Sequence, residues 1–551
     1  MKGRKVVFFS VVLAVLVLIA GCSKKTEQGS QTREAGALSA LTGNTLKFSA
    51  SVPNFGTDPT GTLVQEEWKK RMEAYLGCTL DISWTLTPWA DYRNNEQVIL
   101  ASGNLPDVFT YTWGNMINTY GEDGQVLDIA KYKDLMTYYP RFIEGTPGKE
   151  AFAYNADGTG YYFMDGFVND NNYTGAQSFT GFIYRFDILQ KHNLIPATTL
   201  DEFDALCAKL KQLYPNLYII NNTGQTFYRG FVGIFHTWDT LYWNGNAWAY
   251  GPVEDNFREM LRYINRLYAA GYIDPEFATD NSDLSTGKAT TGKNLIWPTV
   301  WAGMAGNWND TKIDPAYTYG LAYLPKNPTY GVAWKWGSKL PGTSLPNRAD
   351  GNNFGIAISA KAPNADWIVK LIDYQYSPEM VELQNWGVEG VTYTKNGGTK
   401  QFTPEILNAQ NPVQALANYG VTSSAACRTG ICFTPQDFTP QVGQIREEMW
   451  WSAEDGYHMD KYWIASAKYG GPDSICPADV APIVRLTADE STARAQLINA
   501  CDIIAREWGV KFITGELSVD KDWDSYINAV KYAVDDFQGT LDMLNKNTVR
   551  N

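Results

Sequence analysis

Aromatic rings that lie beside polar side chains are the groups in this sequence with an evident capacity for binding. The chain has 19 Trp and 33 Tyr, and its aromatic content is 14%. A sugar ring presents apolar faces that stack on aromatic rings, and hydroxyl groups that hydrogen-bond to carboxylates and amides. The candidates of this kind are Asn54 and Phe55; Tyr111, Trp113 and Asn115; Trp238 and Asp239; and Trp301. Their chemistry suits a carbohydrate, although any single tryptophan could equally be a core residue.

Motifs for catalysis are much weaker than these binding groups. The three histidines do not form H-E-x-x-H, and the chain has no G-x-S-x-G and no Walker A sequence. Residues 285–288 match the short pattern S-x-x-K, but no K-T-G follows. We therefore expect no enzyme activity, no catalytic residues and no cofactor. Two alternatives stay open: a carbohydrate-cleaving hydrolase, which needs only two facing carboxylates, and a surface lectin or adhesin.

The first group of candidates follows the strands of a predicted α/β unit. Apolar periodicity predicts strand, helix, strand, helix and strand, in that order, over 46–52, 64–75, 78–84, 91–102 and 107–111. Such a pattern is typical of a parallel sheet covered by helices, which binds ligands beyond the carboxyl ends of its strands. The segments after Val52 and after Phe109 are therefore expected to line a site.

A second unit of the same kind is predicted to begin near Gly181. Thr199 and Glu202 have the spacing of a capping box, which opens a helix. Further strands are predicted at 182–186, 217–220, 294–296, 319–324 and 354–359, with helices at 255–270 and 366–376 and a mainly helical region over 491–544. The loop over 235–250 is unusually aromatic, and it carries Trp238 and Asp239.

The N-terminal segment has the pattern of a secretion signal. Basic residues at 2, 4 and 5 precede a mainly apolar run over 6–20, shorter than the about 20 apolar residues that span a bilayer. Residues 18–22, ending in Cys22, resemble the bacterial lipobox. We expect residues 1–21 to be removed, Cys22 to carry the lipid, and the polar segment 22–43 to form a flexible tether. The alternative is an uncleaved anchor helix.

Charge and cysteines give further expectations. Removing residues 1–21 takes three basic groups from the 46 Lys and Arg and none of the 59 Asp and Glu, which leaves a net charge of −16. Without a basic stripe, nucleic acid is not expected as a partner. Cys78 and Cys207 are predicted to be core residues, whereas Cys427 and Cys432 are close enough in sequence to pair.

Four groups of residues, in order along the chain, resemble a known family. They are ASGNLPDV at 101–108; YRFDIL at 184–189 with TLDEF at 199–203; NWGVEGVTY at 385–393; and KFITGE at 511–516, followed by Trp523 and Tyr526. Together with the lipobox, they resemble the type 1 extracellular solute-binding proteins of carbohydrate ABC importers, especially the larger lipoprotein branch.

This resemblance implies an α/β protein with the two-lobed, type II periplasmic-binding-protein-like fold, a hinge and a helical C-terminal region. Lobe one would hold 44–165 and about 352–378, and lobe two would hold about 170–350 and about 379–551. The expected protein is a monomer outside the cytoplasm, lipid-anchored at the cell surface or the periplasmic face of a membrane. It would capture a carbohydrate of several sugar units and deliver it to ABC permease subunits in the membrane.

The resemblance also adds residues to the expected binding site, and it bears on whether the protein binds calcium. Arg185, Glu389 and Tyr393 join the expected ligand contacts. Some family members carry a calcium loop just after the first helix of the second lobe, but residues 214–218 of this chain read YPNLY. A partial imitation begins at Asn155, yet Gly166 stands at the twelfth position, where an EF-hand has Glu. We therefore expect no bound metal.

Overall fold

The computed structural model describes residues 36–54, 60–113, 117, 120–121, 123–144, 164–165, 181–221, 227–299, 304–335, 354–397, 399–421, 447–461, 476–477, 481–482, 484 and 486–548. The elements below all belong to the compact unit that spans Leu38–Asn551. Cys22 and the expected signal segment lie outside the described residues.

Strands and helices alternate along much of the chain, and helices form its last part. The strands are β1 (Thr45–Asn54), β2 (Thr79–Pro88), β3 (Val108–Trp113), β4 (Met164–Asp165), β5 (Gly181–Arg185), β6 (Leu241–Trp243), β7 (Trp248–Tyr250), β8 (Ile296–Thr299), β9 (Tyr319–Ala322), β10 (Phe354–Ile358), β11 (Tyr393–Asn396), β12 (Thr399–Phe402), β13 (Glu447–Ser452) and β14 (Gly456–Lys461). The α-helices are α1 (Leu63–Leu76), α2 (Trp89–Ser102), α3 (Tyr139–Glu144), α4 (Phe186–Lys191), α5 (Leu200–Leu213), α6 (Asp255–Ala269), α7 (Ser282–Thr290), α8 (Met304–Thr311), α9 (Ala365–Tyr374), α10 (Pro378–Trp386), α11 (Pro404–Leu407), α12 (Pro412–Asn418), α13 (Ala488–Thr514), α14 (Trp523–Lys531) and α15 (Phe537–Lys546).

Within the first sheet, β1, β2 and β3 have the predicted parallel arrangement, whereas β10 is antiparallel to β3 and β4. The strand order of this sheet is β2-β1-β3-β10-β4, and β1 pairs in parallel with both β2 and β3. Local signals explain the connection from β1 to β2. The Thr62 hydroxyl caps α1 by accepting from the Gln65 amide, and the helix ends at Gly77, whose φ of 70° favours glycine. The predicted β-α-β-α-β order is therefore confirmed.

The second sheet is mixed. Its strand order is β14-β13-β9-β5-β8, and β5 is antiparallel to both β8 and β9. The predicted capping box is present at the start of α5, where Thr199 and Glu202 bond each other's backbone. Three antiparallel hairpins, β6–β7, β11–β12 and β13–β14, lie in segments for which the sequence predicted no strands.

Each sheet has its own hydrophobic core, as a two-lobed protein requires. The first core joins buried residues of β1, α1 and β10 with residues of α9 and α10. The second core joins β5, α5 and α6 with the C-terminal helices α13, α14 and α15. Cys78 and Cys207 are buried free thiols in these two cores, as predicted.

The first lobe extends further along the chain than the expected boundary at residue 379. Leu383, Trp386, Phe402 and Leu416 all belong to the first core. The segment from α10 to Val421 therefore packs with the first sheet, and the boundary drawn at 379 was wrong. The cause is physical: α10 follows α9 after a short turn, and its apolar residues cover α1.

Within the described part of the chain, we find no helix with the length and apolar content needed to cross a bilayer.

Candidate functional site

The first sheet brings the ends of β1 and β3 to one edge. These strands are parallel neighbours, with Ser51 opposite Phe109, so Asn54 and Trp113 lie at the same carboxyl edge. β10 runs antiparallel to β3, and its first residue, Phe354, pairs with Trp113. The loops that meet at this edge are thus those after β1, after β3 and before β10. Parallel sheets bind ligands at such an edge.

The predicted residues of this edge are described to different extents. Asn54 is half-buried at the end of β1. Tyr111 and Trp113 belong to β3, where the structure describes their backbone. Phe55 and Asn115 lie outside the described residues. The structure therefore brings Asn54, Tyr111 and Trp113 to neighbouring strands at the predicted edge.

The second sheet also has a carboxyl edge at which several strands end. Thr299, the last residue of β8, pairs with Gly181, and Ala322, the last residue of β9, pairs with Phe182. The ends of β8 and β9 therefore meet beside the start of β5. β13, which is parallel to β9, ends there too. Trp301, two residues beyond β8 in the sequence, lies outside the described residues.

The segment that carries Trp238 and Asp239 is held tightly by its neighbours. A Cβ built on Gly251 would lie 2.1 Å from the Trp238 carbonyl oxygen, so the two backbones meet where a side chain has no room. The Glu254 carboxylate accepts hydrogen bonds from Thr237 at 3.0 Å and from Tyr242 at 2.8 Å. Burial raises the pKa of Glu254, although these hydrogen bonds partly offset the effect. The segment is therefore a rigid support and not a free loop.

Trp238 and Asp239 are nearly covered by protein. Trp238 is 5% exposed, and its ring lies 6.5 Å from the ring of Tyr242. Asp239 forms a bidentate ion pair with Arg229, whose Nε lies 2.8 Å and Nη2 3.0 Å from the carboxylate oxygens. The Arg229 guanidinium also lies 6.0 Å from the Trp238 ring. In this structure Trp238 acts as a packing residue, and Asp239 is fully engaged by an arginine.

A second buried carboxylate lies behind this pair. Tyr250 donates a hydrogen bond to Asp502 of α13 at 2.7 Å. Burial raises the pKa of Asp502 to about 6, and the negative charge of Asp239 adds to the rise. Arg506 lies 3.9 Å from the Asp502 carboxylate, and its positive charge opposes this rise in pKa. The support of the Trp238–Asp239 segment therefore contains a group that titrates below neutral pH.

Arg185 does not reach the carboxyl edge of the second sheet. It ends β5 opposite Tyr319, the first residue of β9, and so lies at the other end of the sheet from Thr299. Its guanidinium lies 2.7 Å from Asp187 and 3.6 Å from the ring centroid of Tyr317. With 4% of its side chain exposed, Arg185 joins elements inside the lobe. Its contacts explain it as a structural ion pair, in contrast to the expected ligand contact.

Glu389 and Tyr393 occupy a turn in the first lobe. The Tyr393 ring is buried beside Trp386, and its hydroxyl donates to Glu382. Burial acts to raise the pKa of Glu382. Hydrogen bonds, among them those from Lys395 and Tyr393, outweigh burial and lower this pKa to about 2. Glu389 is exposed and lies 3.4 Å from Lys395. Of this pair, Glu389 presents its side chain to solvent, while Tyr393 is used by the core.

This turn is linked to the start of α1, which follows the carboxyl end of β1. A Cβ on Gly387 would lie 2.9 Å from Val421, and the Val64 amide donates to Tyr419 at 3.0 Å. The turn therefore lies on the same side of the first lobe as the carboxyl edge of its sheet.

Other polar residues at the second edge were not predicted. Ile220 forms a parallel bridge to Ile296, the first residue of β8, so Asn221 lies beside the start of that strand and not at its carboxyl end. Tyr323 directly follows β9, and the Lys335 amine lies 4.8 Å from its ring centroid. Burial lowers the pKa of Lys335 to about 8. The predicted strand over 319–324 extends past Ala322, where β9 ends, so the strand-end rule did not single out Tyr323.

Carboxylates also gather around one lysine away from these edges. The Lys288 ammonium lies 3.1 Å from Asp274, 2.7 Å from Glu276 and 2.8 Å from Asp280. An ammonium group therefore occupies the place between these carboxylates. Within the part of the chain that the structure describes, no group of three or more His, Cys, Asp or Glu side chains is arranged to hold a metal ion.

Comparison with known proteins gives one family for the chain. Residues 70–387, more than half of the chain, match the model of a family described as bacterial extracellular solute-binding protein. A curated relative is the fructooligosaccharide ABC transporter substrate-binding protein FusA of Streptococcus pneumoniae. It is 22% identical over 409 residues, which are 68% of this chain and 70% of the relative.

Solved structures with the same fold cover nearly the whole chain. The alginate-binding protein AlgQ2 superposes with a TM-score of 0.69 at 19% identity, over 92% of this chain and 98% of that one. FusA in complex with kestose gives 0.65 at 17% identity, over 91% and 98%. A human-milk-oligosaccharide-binding solute-binding protein from Bifidobacterium longum infantis gives 0.63 at 15% identity, over 91% and 98%. These superpositions establish the two-lobed fold.

Proposed function

The chain belongs to the bacterial extracellular solute-binding protein family, and we propose that it captures an oligosaccharide between its two lobes for delivery to an ABC importer. The observation that carries this proposal is the pair of carboxyl edges, one in each lobe: Asn54, Tyr111 and Trp113 lie at or near strand ends at the first, and Trp301 follows in sequence the strand β8, which ends at the second. Strand ends of this kind are where two-lobed α/β proteins bind small ligands. The ligand and importer named for FusA, fructooligosaccharide and an ABC transporter, support the same proposal.

An oligosaccharide is favoured over a single sugar by the similar structures. Their names refer to alginate, kestose and human milk oligosaccharides, all of which contain several sugar units. We propose that Phe55, Tyr111, Trp113 and Trp301 supply stacking surfaces along such a chain. In this proposal Asn54, Asn115 and the exposed Glu389 bond its hydroxyl groups, while Trp238 and Tyr393 support the site from within each lobe.

Transport in this proposal requires binding and closure but no covalent chemistry. A sugar that touches both edges makes more contacts when the lobes are closed, so its binding shifts the hinge toward closure. Permease subunits could then recognise the loaded protein by its shape. The bound sugar would leave unchanged, and the energy would come from the importer's ATPase.

The cellular location of the protein is part of the same proposal. A protein that feeds a membrane importer has to stay close to it, and the lipobox-like sequence before Cys22 provides a means. We propose that residues 1–21 are a signal peptide and that the lipid on Cys22 holds a monomer outside the cytoplasm. Cys22→Ala should abolish labelling with radioactive palmitate and release the protein from membranes. Persistent labelling of the variant would contradict the anchor.

Calorimetry with a panel of kestose, alginate and human milk oligosaccharides tests the proposed ligand class. Trp113→Ala and Trp301→Ala should each weaken binding of the preferred sugar by about 1–3 kcal/mol, or about five- to hundredfold. The matched control is Trp367→Ala, since Trp367 lies on α9, which follows the opposite end of β10, and its indole bonds Ser39 at 2.8 Å. This control should lower the melting temperature without changing affinity.

The outcomes separate the alternatives. Chromatography of the recovered sugar should show intact oligosaccharide, and shortened products would indicate a hydrolase. Loss of stability without loss of affinity in Trp113→Ala and Trp301→Ala would make both residues core tryptophans. Wild-type protein that binds none of the panel would contradict the proposed function.

A further inference from the structure

Arg229 differs from the residues around it. It lies in a short 3-10 helix, Phe227–Gly230. Apart from Arg229, all residues from Phe227 to Phe235 are buried. The Arg229 side chain is 27% exposed. Its neighbours Phe227 and Tyr228 belong to the core of the second lobe. The local fold therefore buries the apolar residues of this helix and leaves its arginine partly exposed.

The position of this helix is fixed by close packing against β8. A Cβ built on Gly230 would lie 2.5 Å from the Cβ of Pro298 and 2.8 Å from its carbonyl carbon. Gly230 therefore touches the strand one residue before Thr299, where β8 ends. Arg229, the preceding residue, is held beside the carboxyl edge of the second sheet, and a side-chain-bearing residue at 230 would push it away.

The ion pair with Asp239 is asymmetric in exposure. Asp239 has 4% of its side chain exposed, against 27% for Arg229. The carboxylate is covered because Nε and Nη2 of the guanidinium both donate to it. A ligand at this edge therefore meets the guanidinium before it meets the carboxylate. A bidentate pair of this kind also fixes the plane of the guanidinium, which prepares the arginine for directed hydrogen bonds.

We propose that Arg229 is a ligand-contact residue that donates hydrogen bonds to hydroxyl groups of the bound sugar, and that Asp239 is its positioning residue. This inference rests on the proposed function. It replaces the expectation that Asp239 itself bonds the sugar, and it adds a residue that the sequence did not identify. Because five donors lie in one plane, Arg229 can bond two neighbouring hydroxyls while it stays paired with Asp239.

A double-mutant cycle tests these two roles. Affinity is measured by calorimetry for wild type, Arg229→Gln, Arg229→Lys, Asp239→Asn and the double variant Arg229→Gln/Asp239→Asn. The probe is whichever of kestose and an alginate tetrasaccharide binds the wild type more tightly. Circular dichroism melting establishes that each variant is folded at the temperature of the titration. The control is Arg262→Gln, since Arg262 forms a comparable surface pair 2.6 Å from Asp520 on the outer side of α6.

Arg229→Gln should weaken binding on the order of 10- to 100-fold, because hydrogen bonds from a charged donor are lost. Arg229→Lys should not restore it, since an ammonium lacks the planar fork. Asp239→Asn should weaken binding less, and it should cause no further loss in the Arg229→Gln background. Arg262→Gln should bind like wild type.

Two results would overturn the inference while leaving the proposed function intact. One is wild-type affinity in folded Arg229→Gln. The other is an Asp239→Asn loss that persists undiminished in the double variant, which would make Asp239 a direct contact. Wild-type protein that binds neither probe would contradict the proposed function, and with it this inference.

Discussion

Gly251→Ala should damage the support beneath the second edge. The added Cβ would lie 2.1 Å from the Trp238 carbonyl oxygen, 2.8 Å from its carbonyl carbon and 2.9 Å from its amide nitrogen. All three atoms are backbone, so no side-chain rotation can make room. The Gly251 amide also donates to the Thr240 carbonyl at 3.1 Å. This hydrogen bond joins the residue before β6 to the residue after β7, and so holds the two segments close together.

The magnitude follows from the size of this overlap. Contacts below 3.0 Å force a displacement of the backbone, and overpacking of this kind costs about 1–3 kcal/mol. We expect about 2–3 kcal/mol for Gly251→Ala, because both neighbouring segments are buried and hydrogen-bonded. The Trp238–Asp239 segment would shift, so affinity for the preferred oligosaccharide should fall together with the melting temperature.

The assay is thermal melting followed by circular dichroism, with calorimetric titration of the folded variant. The matched control is Gly287→Ala in α7, where an added Cβ meets no atom within 4 Å. This control should raise stability by about 0.5–1 kcal/mol, since alanine is the better helix former. Gly251→Ala protein with the melting temperature and the affinity of wild type would refute the idea that Gly251 sets the position of the Trp238–Asp239 segment.

Two further predictions concern buried charges. Lys288→Met removes the ammonium between the buried carboxylates of Asp274 and Asp280, and it should cost about 3 kcal/mol in the free energy of unfolding; an unchanged melting temperature would contradict this. Burial raises the pKa of Asp502 from 3.8 to about 6, so the native state holds a proton that the unfolded chain releases in that window. The stability contributed by Asp502 is therefore present below about pH 4 and lost as pH rises through about 6, by about 3 kcal/mol at most. Asp502→Asn should gain stability relative to wild type between these pH values in urea unfolding, and parallel pH profiles would count against the assignment.

Periodicity predicted the parts of the fold that depend on local interactions. The strand at β1 and the helix at α1 were evident because their buried faces follow periods of two and of three to four residues. The capping box at Thr199 and the stop at Gly77 are also local, since they involve residues a few positions apart. Hydrophobic spacing thus predicted the first β-α-β-α-β unit, and the capping box predicted the start of α5.

Long-range pairing could not be derived in the same way. Arg185 was placed in the site through the family resemblance, but the antiparallel pairing of β5 with β8 puts it at the opposite edge of the sheet. Trp386 has the apolar character of any core residue, and nothing in its neighbourhood says which of two cores it joins. Trp238 followed the right pattern for a stacking residue, yet its ring is covered by contacts distant in sequence. The sequence pattern therefore identifies the edges better than the individual contacts.

Small-angle scattering of the wild-type protein with its preferred oligosaccharide tests whether the two lobes close on the sugar. In the proposed mechanism both lobes contact one sugar, so the radius of gyration should fall when the oligosaccharide is added at saturating concentration. The sugar should be recovered intact after the measurement, and a non-binding member of the panel should leave the scattering unchanged. Tight binding with an unchanged radius of gyration would contradict capture between two closing lobes and would favour a lectin.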